Sequence, residues 1–500
     1  MIATVSAKPT GVWEADAGPR RSTFAAAARA RRAEAAMLAS AIAPAQAAVR
    51  AGIDQAGFAR AAAPPCAAVA DAAAIPARAS PRASVCVRIC AGSIAAVDKM
   101  PPVDSATLDR LAKLAVGFGA NVQPGQRVIV IASIGQEGLA RKIVELVYGA
   151  GAVFVDMVYR DPYVQRARLE HGVDEALGYE PEWVVEMVRQ HGIHQGATIA
   201  LSGPVAPGLL EGIDPARIGR DRPPGQKQST ENMTQARNNW TIVPCPTEGW
   251  ATLVHPDLEP DAALERLWEQ IAVACRLDAD DPVEAWKVRM DDLVRAGDAL
   301  TERHFDAMHL EGPGTDLRVG LLPTSTWHGG GLTTAWGLRH QPNLPTEEVF
   351  TTPDPERVDG VVRATKPREL SGTIVRDLEV RFEGGRVTSI EAAENGDVLK
   401  AYAERDEGAG RLGELALVDA GGRIGPLDTV FYDTLLDENA ASHIALGQGF
   451  DWAVGEEDRD RINRSEIHVD FMIGSPEVDV TGITASGERV PVLRAGAWQI

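Results

Sequence analysis

"GQRVIVIASIGQEGLARKIVELVYGAGAVFVDMVY", residues 125–159, decides how the middle of the chain folds. Its opening part, "GQRVIVIAS" (125–133), is a continuous β-branched run of the kind carried by a strand covered on both faces. "QEGLARKIVELVYGAGA" then repeats apolar residues at helical spacing and stops on glycine, and "VFVDMVY" (153–159) is a second strand. Strand, helix and strand at this spacing predict a βαβ unit, and therefore a parallel sheet. No GxGxxG follows the first strand, so a dinucleotide is not implied.

On either side the pattern continues. "DSATLDRLAKLAVGFGANV" (104–122) opens on a capping residue and reads as a helix, while "GATIALSGP" (196–204) and "WTIVPCP" (240–246) supply further strands. These elements predict an α/β domain with a parallel sheet over residues 100–300. After the helical stretch "ADDPVEAWKVRMDDLVRAGDALTE", short strands separated by glycine turns take over: "DAMHLEGPGTDLRVGLLP", "GTIVRDLEVRFEGGRVTSIEA" and "ELALVDAGGRIG". They predict a second, α+β domain over 301–500, with antiparallel or mixed pairing.

Residues 1–99 differ in kind. About a third are alanine, and 12 basic residues against 6 acidic ones put the segment near +6. So few large apolar side chains cannot offset the entropy of ordering the chain, which predicts a disordered or loosely helical extension. The segment lacks the compact apolar core of a secretory signal and only partly matches a transit peptide. Translation starting at Met100 is the favoured expectation. The whole chain carries −20, so its remainder is near −26, which argues against nucleic acid or an anionic membrane as partner. No run of about 20 apolar residues offers a membrane span. The five cysteines, Cys66, Cys86, Cys90, Cys245 and Cys275, are odd in number and scattered, which predicts a reducing cytoplasm rather than a disulfide framework. A zinc cluster of the first three lacks a fourth ligand nearby.

Chemistry enters at "SEIHVDFMIGS", residues 465–475. Alternate side chains of a strand share a face, so His468 and Asp470 point one way and Ile467, Val469, Phe471 and Ile473 the other. An unpaired carboxylate on a mostly apolar element costs several kcal/mol or takes up a proton. A cation removes that cost, and imidazole with carboxylate suits Zn, Mn, Co or Fe. The plainer alternative is that Asp470 only orients His468, or that both line a wet groove.

Further candidates lie upstream. In "DTLLDENAASHIALGQGF" (433–450), Asn439 reads as the N-cap of a helix, with Glu438 at its mouth and His443 one turn inside. "LGELALV" (412–418) places Glu414 at the start of an apolar strand. "NLPTEEVFTTP" (343–353) offers Glu347 and Glu348, of which only one can face inward from a strand. Each has an ordinary alternative: a helix start with a core histidine, or a charge at a strand edge.

Taken in order, "GPGTDLRVGL", "NLPTEEVFTTP", "GELALV", "YDTLLDENAASHIALG" and "NRSEIHVDFMIGS" resemble the thermophilic aminopeptidase family of metallopeptidases, of the aminopeptidase T and S type. The resemblance runs from about Met100 to the C terminus, through "NNWTIVPCPTEGWA" and "ADDPVEAW". It implies two divalent metal ions (Zn, Co, Mn or Mg) held by three glutamates, two histidines and an aspartate. The matching positions are Glu348, Glu414, Glu438, His443, His468 and Asp470. It further implies a homodimer whose sites face an enclosed cavity, admitting short peptides with a free N terminus. One position departs: where the family commonly has a tyrosine seven residues after the histidine of "DENAASH", this chain has Phe450. On the helical reading that side chain still lines the site, without a hydroxyl for a developing oxyanion.

The mechanism implied is an aminopeptidase in which two metals activate a shared water and polarise the scissile carbonyl, with Glu414 as the carboxylate that takes the water's proton or bridges the ions. Two rivals stand beside it. One is a ring-cleaving Fe(II) dioxygenase on a similar scaffold, for which His443, His468 and Asp470 suffice as a facial triad. The other is a catalytically inactive metal-binding relative. Retention of Glu348, Glu414 and Glu438 favours the peptidase.

Overall fold

A computed structural model describes residues 105–370 and 373–500, so the extension over 1–99, with Cys66, Cys86 and Cys90, lies outside the described residues. Strands Arg127–Ser133 and Phe154–Arg160 pair in parallel, and helix Glu137–Gly149 joins them. Ala197–Ser202 and Asn239–Pro244 continue the same parallel sheet on the other side of Arg127–Ser133. The β-branched run therefore becomes an interior strand, with Val128, Val130 and Ala132 all buried. The joining helix buries Leu139, Ala140, Ile143 and Val147, a stripe at helical spacing that packs into the same core.

Every strand of the two large sheets beyond residue 306 pairs antiparallel. Eight strands form one sheet, running in space from Arg386–Glu391 through Pro353–Arg363 and Ala307–Gly312 to Ala497–Trp498. The motif "GPG" turns one of its hairpins, between Ala307–Gly312 and Thr315–Leu321, with Gly314 in the left-handed region.

A second antiparallel sheet has four strands in the order His468–Met472, His443–Gly447, Leu412–Val418 and Glu348–Thr351. Directly paired residues share a face. Glu348 pairs with Val418, Phe350 with Ala416, Ala416 with His443, Glu414 with Ala445, Ala445 with Asp470, and Gly447 with His468. The register thus brings Glu348, Glu414, His443, His468 and Asp470 to one face. Val349, Leu415, Leu417, Ile444, Leu446, Val469 and Phe471 occupy the other, each no more than 3% exposed. A charged face and an apolar face on one sheet fix its register, because a slip of one residue would exchange them.

The expected helix around His443 is corrected here. The helix is the short Thr434–Glu438, Asn439 is its C-cap rather than an N-cap, and His443 opens a strand. Alternation of His443, Ala445 and Gly447 with Ile444 and Leu446 is a period of two, and flanking strands satisfy the backbone on both sides.

The parallel sheet supports the segments that lead to the charged face. The Ile242 N–H donates to Pro342 O (2.7 Å) and the Leu344 N–H to Ile242 O (3.0 Å), anchoring the approach to Glu348. Trp250, fully buried, donates its indole N–H to Phe431 O at 2.6 Å, and the Ser202 hydroxyl donates to Asp433 at 3.3 Å, anchoring the approach to Glu438. Trp250→Ala is expected to cost about 3–5 kcal/mol, read as a lower midpoint in chemical denaturation. A midpoint equal to that of the unsubstituted protein would show that this anchor carries no stability.

Candidate metal centre

Glu348, Glu414, Glu438, His443, His468 and Asp470 all line one cavity of about 380 Å³. Gln226, Thr230, Met233, Trp240 and Ile242, from the parallel-sheet side, face them across it. His468 Nε2 lies 2.9 Å from Glu414 Oε2 and 3.3 Å from Asp470 Oδ1. His443 Nε2 lies 3.1 Å from Glu348 Oε2. Two groups of donors result: Glu348, Glu414 and His443, and Glu414, His468 and Asp470, with the ligand atoms of each group within 4.8 Å of one another. Glu414 belongs to both. Glu438 belongs to neither at that distance, although it shares the cavity; its Oε1 accepts from Asn343 Nδ2 (3.2 Å) and Asn439 Nδ2 (3.4 Å).

Both imidazoles are oriented through their second nitrogen. His468 Nδ1–H donates to Gln448 O (2.9 Å) and His443 Nδ1–H to Ala441 O (3.3 Å), so each presents Nε2 to the carboxylates. Gln448 reaches that position because Gly413 lets the chains close up: a Cβ there would stand 2.3 Å from Gly447 O and 2.4 Å from Gln448 O. Gly413 also sits at the register shift that turns Glu414 onto the face shared with Ala445.

Of the two adjacent glutamates, Glu348 enters the cavity and Glu347 points away into a pair of arginines, bonding Arg276 at 2.7 Å and Arg289 at 2.5 Å. Strand alternation predicts that split but not which glutamate goes where. The sequence reading also missed Asn343, Asn439 and the Gln448 carbonyl. Only "DENAASH" held a signal, since an asparagine beside a buried glutamate is a natural donor to it.

Burial raises the Glu414 carboxyl above the usual range, against the opposing pull of His468, and it raises Glu438 well above, with Asp470 and Glu348 adding repulsion. Burial alone would lower both histidines. For His443 the hydrogen bond and charge of Glu348, with Glu414 and Asp470, reverse that and push it up to about 10. For His468 the charges of Asp470 and Glu414 raise it well above its ordinary value. Asp470 is held low because His468 outweighs its burial.

Phe450 does line the cavity, although no helix places it there. It follows the His443–Gly447 strand, and its ring centroid lies 5.3 Å from that of His468 and 4.9 Å from that of Trp452. Phe350, on the donor face of the sheet, packs edge-on against both aromatic rings. Tyr432, the nearest phenol in the sequence, lines a separate surface pocket with His255 and Thr429.

The buried His443 imidazole, the partly exposed His468 imidazole and buried carboxylate oxygens, set this close, fit divalent cations, and few other ligands would offset so much like charge. Comparison with known proteins agrees. The family model for thermophilic metalloproteases (M29) matches residues 104–498. Aminopeptidase T of Thermus aquaticus is 43% identical over 403 residues, covering 79% of this chain and 98% of its own. Aminopeptidase AmpS of Bacillus subtilis is 38% identical, again over 79% of this chain and 98% of its own. The solved structure of wild-type AmpT from Thermus thermophilus superposes with a TM-score of 0.71 at 41% identity, covering 79% of this chain and 99% of that one.

Because neighbouring carboxylates raise His443 and His468 above the ordinary imidazole value, an entering cation must compete with protons for them. Apparent affinity for Zn²⁺ or Co²⁺ is therefore expected to fall as the pH is lowered from about 8 to about 6, with protons released on binding. Titration in weak buffer with a pH indicator measures both. Binding without proton release would contradict this arrangement of charges.

Proposed function

The chain belongs to the thermophilic metalloprotease (M29) family, and on that premise we propose that it is an aminopeptidase releasing N-terminal residues from short peptides at a pair of divalent cations. Glu348, Glu414, Glu438, His443, His468 and Asp470 would hold them. The observation that carries the reading is Glu414, common to two donor groups that each contain a histidine. A carboxylate in that position could serve two ions, whereas a single iron would use one group and leave the other without purpose.

When bound, divalent cations supply a Lewis acid for the scissile carbonyl and a nucleophile at neutral pH. The chain's own residues do the rest. Glu414, buried and raised in pKa, is suited to accept the proton of the attacking water. The excess of carboxylates favours the substrate's ammonium end at the donor face, which restricts cleavage to the N-terminal residue. Phe350, Phe450, Trp240 and Ile242 give the cavity an apolar lining, which lowers the dielectric around the charged groups. Position 450 offers no hydroxyl to the oxyanion, and the transition state relies on the other groups.

Zn, Co, Mn and Mg all suit this donor set. A cytoplasmic homodimer belongs to the same reading. Its supports are the family resemblance, the free Cys245 and Cys275, and the absence, among the described residues, of a helix long and apolar enough to cross a membrane. The division into domains over 100–300 and 301–500 is supported by the strand ladders: the parallel sheet ends at Pro244, and both large antiparallel sheets begin beyond residue 306.

The expected result is cleavage of leucyl-p-nitroanilide on addition of Co²⁺ or Zn²⁺, with kcat about 10²–10⁴-fold lower in Glu414→Gln. One iron per chain together with oxygen uptake would remove the peptidase reading, and cleavage indifferent to Glu414 would remove its mechanism.

A further inference from the structure

Glu347 has no place among the candidate ligands, yet it is the best-held carboxylate beside the centre. It is fully buried, and its two oxygens meet Arg276 Nη2 (2.7 Å) and Arg289 Nε (2.5 Å), with the Arg423 N–H adding a third bond at 3.2 Å. Arg289 also donates to the Glu347 carbonyl (3.3 Å) and to Asp419 (2.6 Å), and Arg276 lies 4.7 Å above the Trp286 ring. Side chain and backbone of this one residue are both immobilised.

Two covalent and hydrogen-bonded links lead from it to the donors. Glu348 is the next residue. The Glu347 N–H donates to Asn439 Oδ1 at 2.6 Å, and Asn439, itself fully buried, donates from Nδ2 to Leu435 O (2.9 Å) and to Glu438 Oε1 (3.4 Å). The strand that carries Glu348 and the helix that carries Glu438 come from positions about 90 residues apart. This amide is a direct tie between them.

We infer that Glu347 is a positioning residue, which sets the aim of Glu348 through the backbone and that of Glu438 through Asn439. The inference rests on the metal reading above. A carboxylate that served only to neutralise two buried arginines would do so from its side chain and would need no tie to Asn439. Donors must be held within about half an ångström for productive geometry, and supporting shells of this kind typically account for about 10–100-fold in metal affinity.

The test uses Co²⁺ bound to the full chain in chelator-buffered titrations, read as dissociation constants and as the visible absorption of the bound ion. Glu347→Gln keeps the shape of the side chain and removes its charge. Asn439→Ser shortens the side chain and so breaks both the tie from the Glu347 N–H and the bond to Glu438. Both variants are expected to bind Co²⁺ about 10–100-fold more weakly with an altered absorption band. Asp354→Asn removes the charge that buried Asp354 offers the exposed Arg461 (2.9 Å) outside the cavity lining, and is expected to lower stability and leave Co²⁺ affinity unchanged. Unaltered affinity and absorption in the two variants, or an equal loss in Asp354→Asn, would overturn the inference. If Glu347→Gln does not fold, Asn439→Ser decides alone. Failure of the unsubstituted protein to bind Co²⁺ would remove the metal reading and this inference with it, whereas tight binding by all proteins removes only the inference.

Discussion

Four buried carboxylates share one wall with the buried His443 and the partly exposed His468, and they cannot all carry their ordinary charge there unaided. Two unit charges 4 Å apart interact by about 4 kcal/mol at the effective dielectric of a protein site. The imidazoles answer part of this. His468 stands between Glu414 and Asp470, and His443 faces Glu348. Glu438 is left with only amide donors, and its carboxyl is driven upward by burial and by Asp470 and Glu348. Cations of charge two would answer the rest. The surrounding architecture makes sense as the means of keeping this unfavourable assembly in place.

The sheet accomplishes that with ordinary means. Alternation puts donors on one face and seven close-packed apolar side chains on the other, so the burial of the second holds the first in register. On the donor face the residues between the charged ones are small. Ala445 lies in register between Glu414 and Asp470, and Ala416 between Phe350 and His443. A long side chain at either alanine would fill the space into which the donors point. Glu438 is brought in from outside the sheet, on a short helix whose approach is tied to the parallel sheet through Trp250 and Ser202. The centre therefore depends on both halves of the described chain.

Much of this was legible before any coordinates. The βαβ unit could be read because two β-branched runs flank a helical stripe that stops on glycine, and that composition and order settle what periodicity alone would leave open. His468 and Asp470 could be read because two polar groups at strand spacing interrupt an apolar run. His443 was misread as helical. "AASHIALGQG" holds too few large apolar residues to separate a period of two from one of 3.6, and its alanines favour a helix, but pairing on both sides overrode that preference. Strand alternation separates Glu347 from Glu348, but which of them turns inward is not legible in the local pattern. That choice depends on Arg276 and Arg289, some 60–70 residues earlier, and no local pattern announces a partner so distant.

The composition of the cavity bears on how one charged wall could act as a catalyst. Glu414 connects two donor groups, each with its own histidine. Phe350, Phe450 and Trp452 pack on one another, and Phe450 also on His468, which sets apolar surface beside the donors and strengthens the electrostatic interactions near it. Phe450 thus contributes hydrophobic exclusion where a hydroxyl would contribute a hydrogen bond. With Tyr432 in another pocket, stabilisation of an oxyanion would fall chiefly to cations held by these donors. On the proposed function, the aim of Glu348, Glu414 and Glu438 would then carry more of the reaction than it would in a site that kept the phenol.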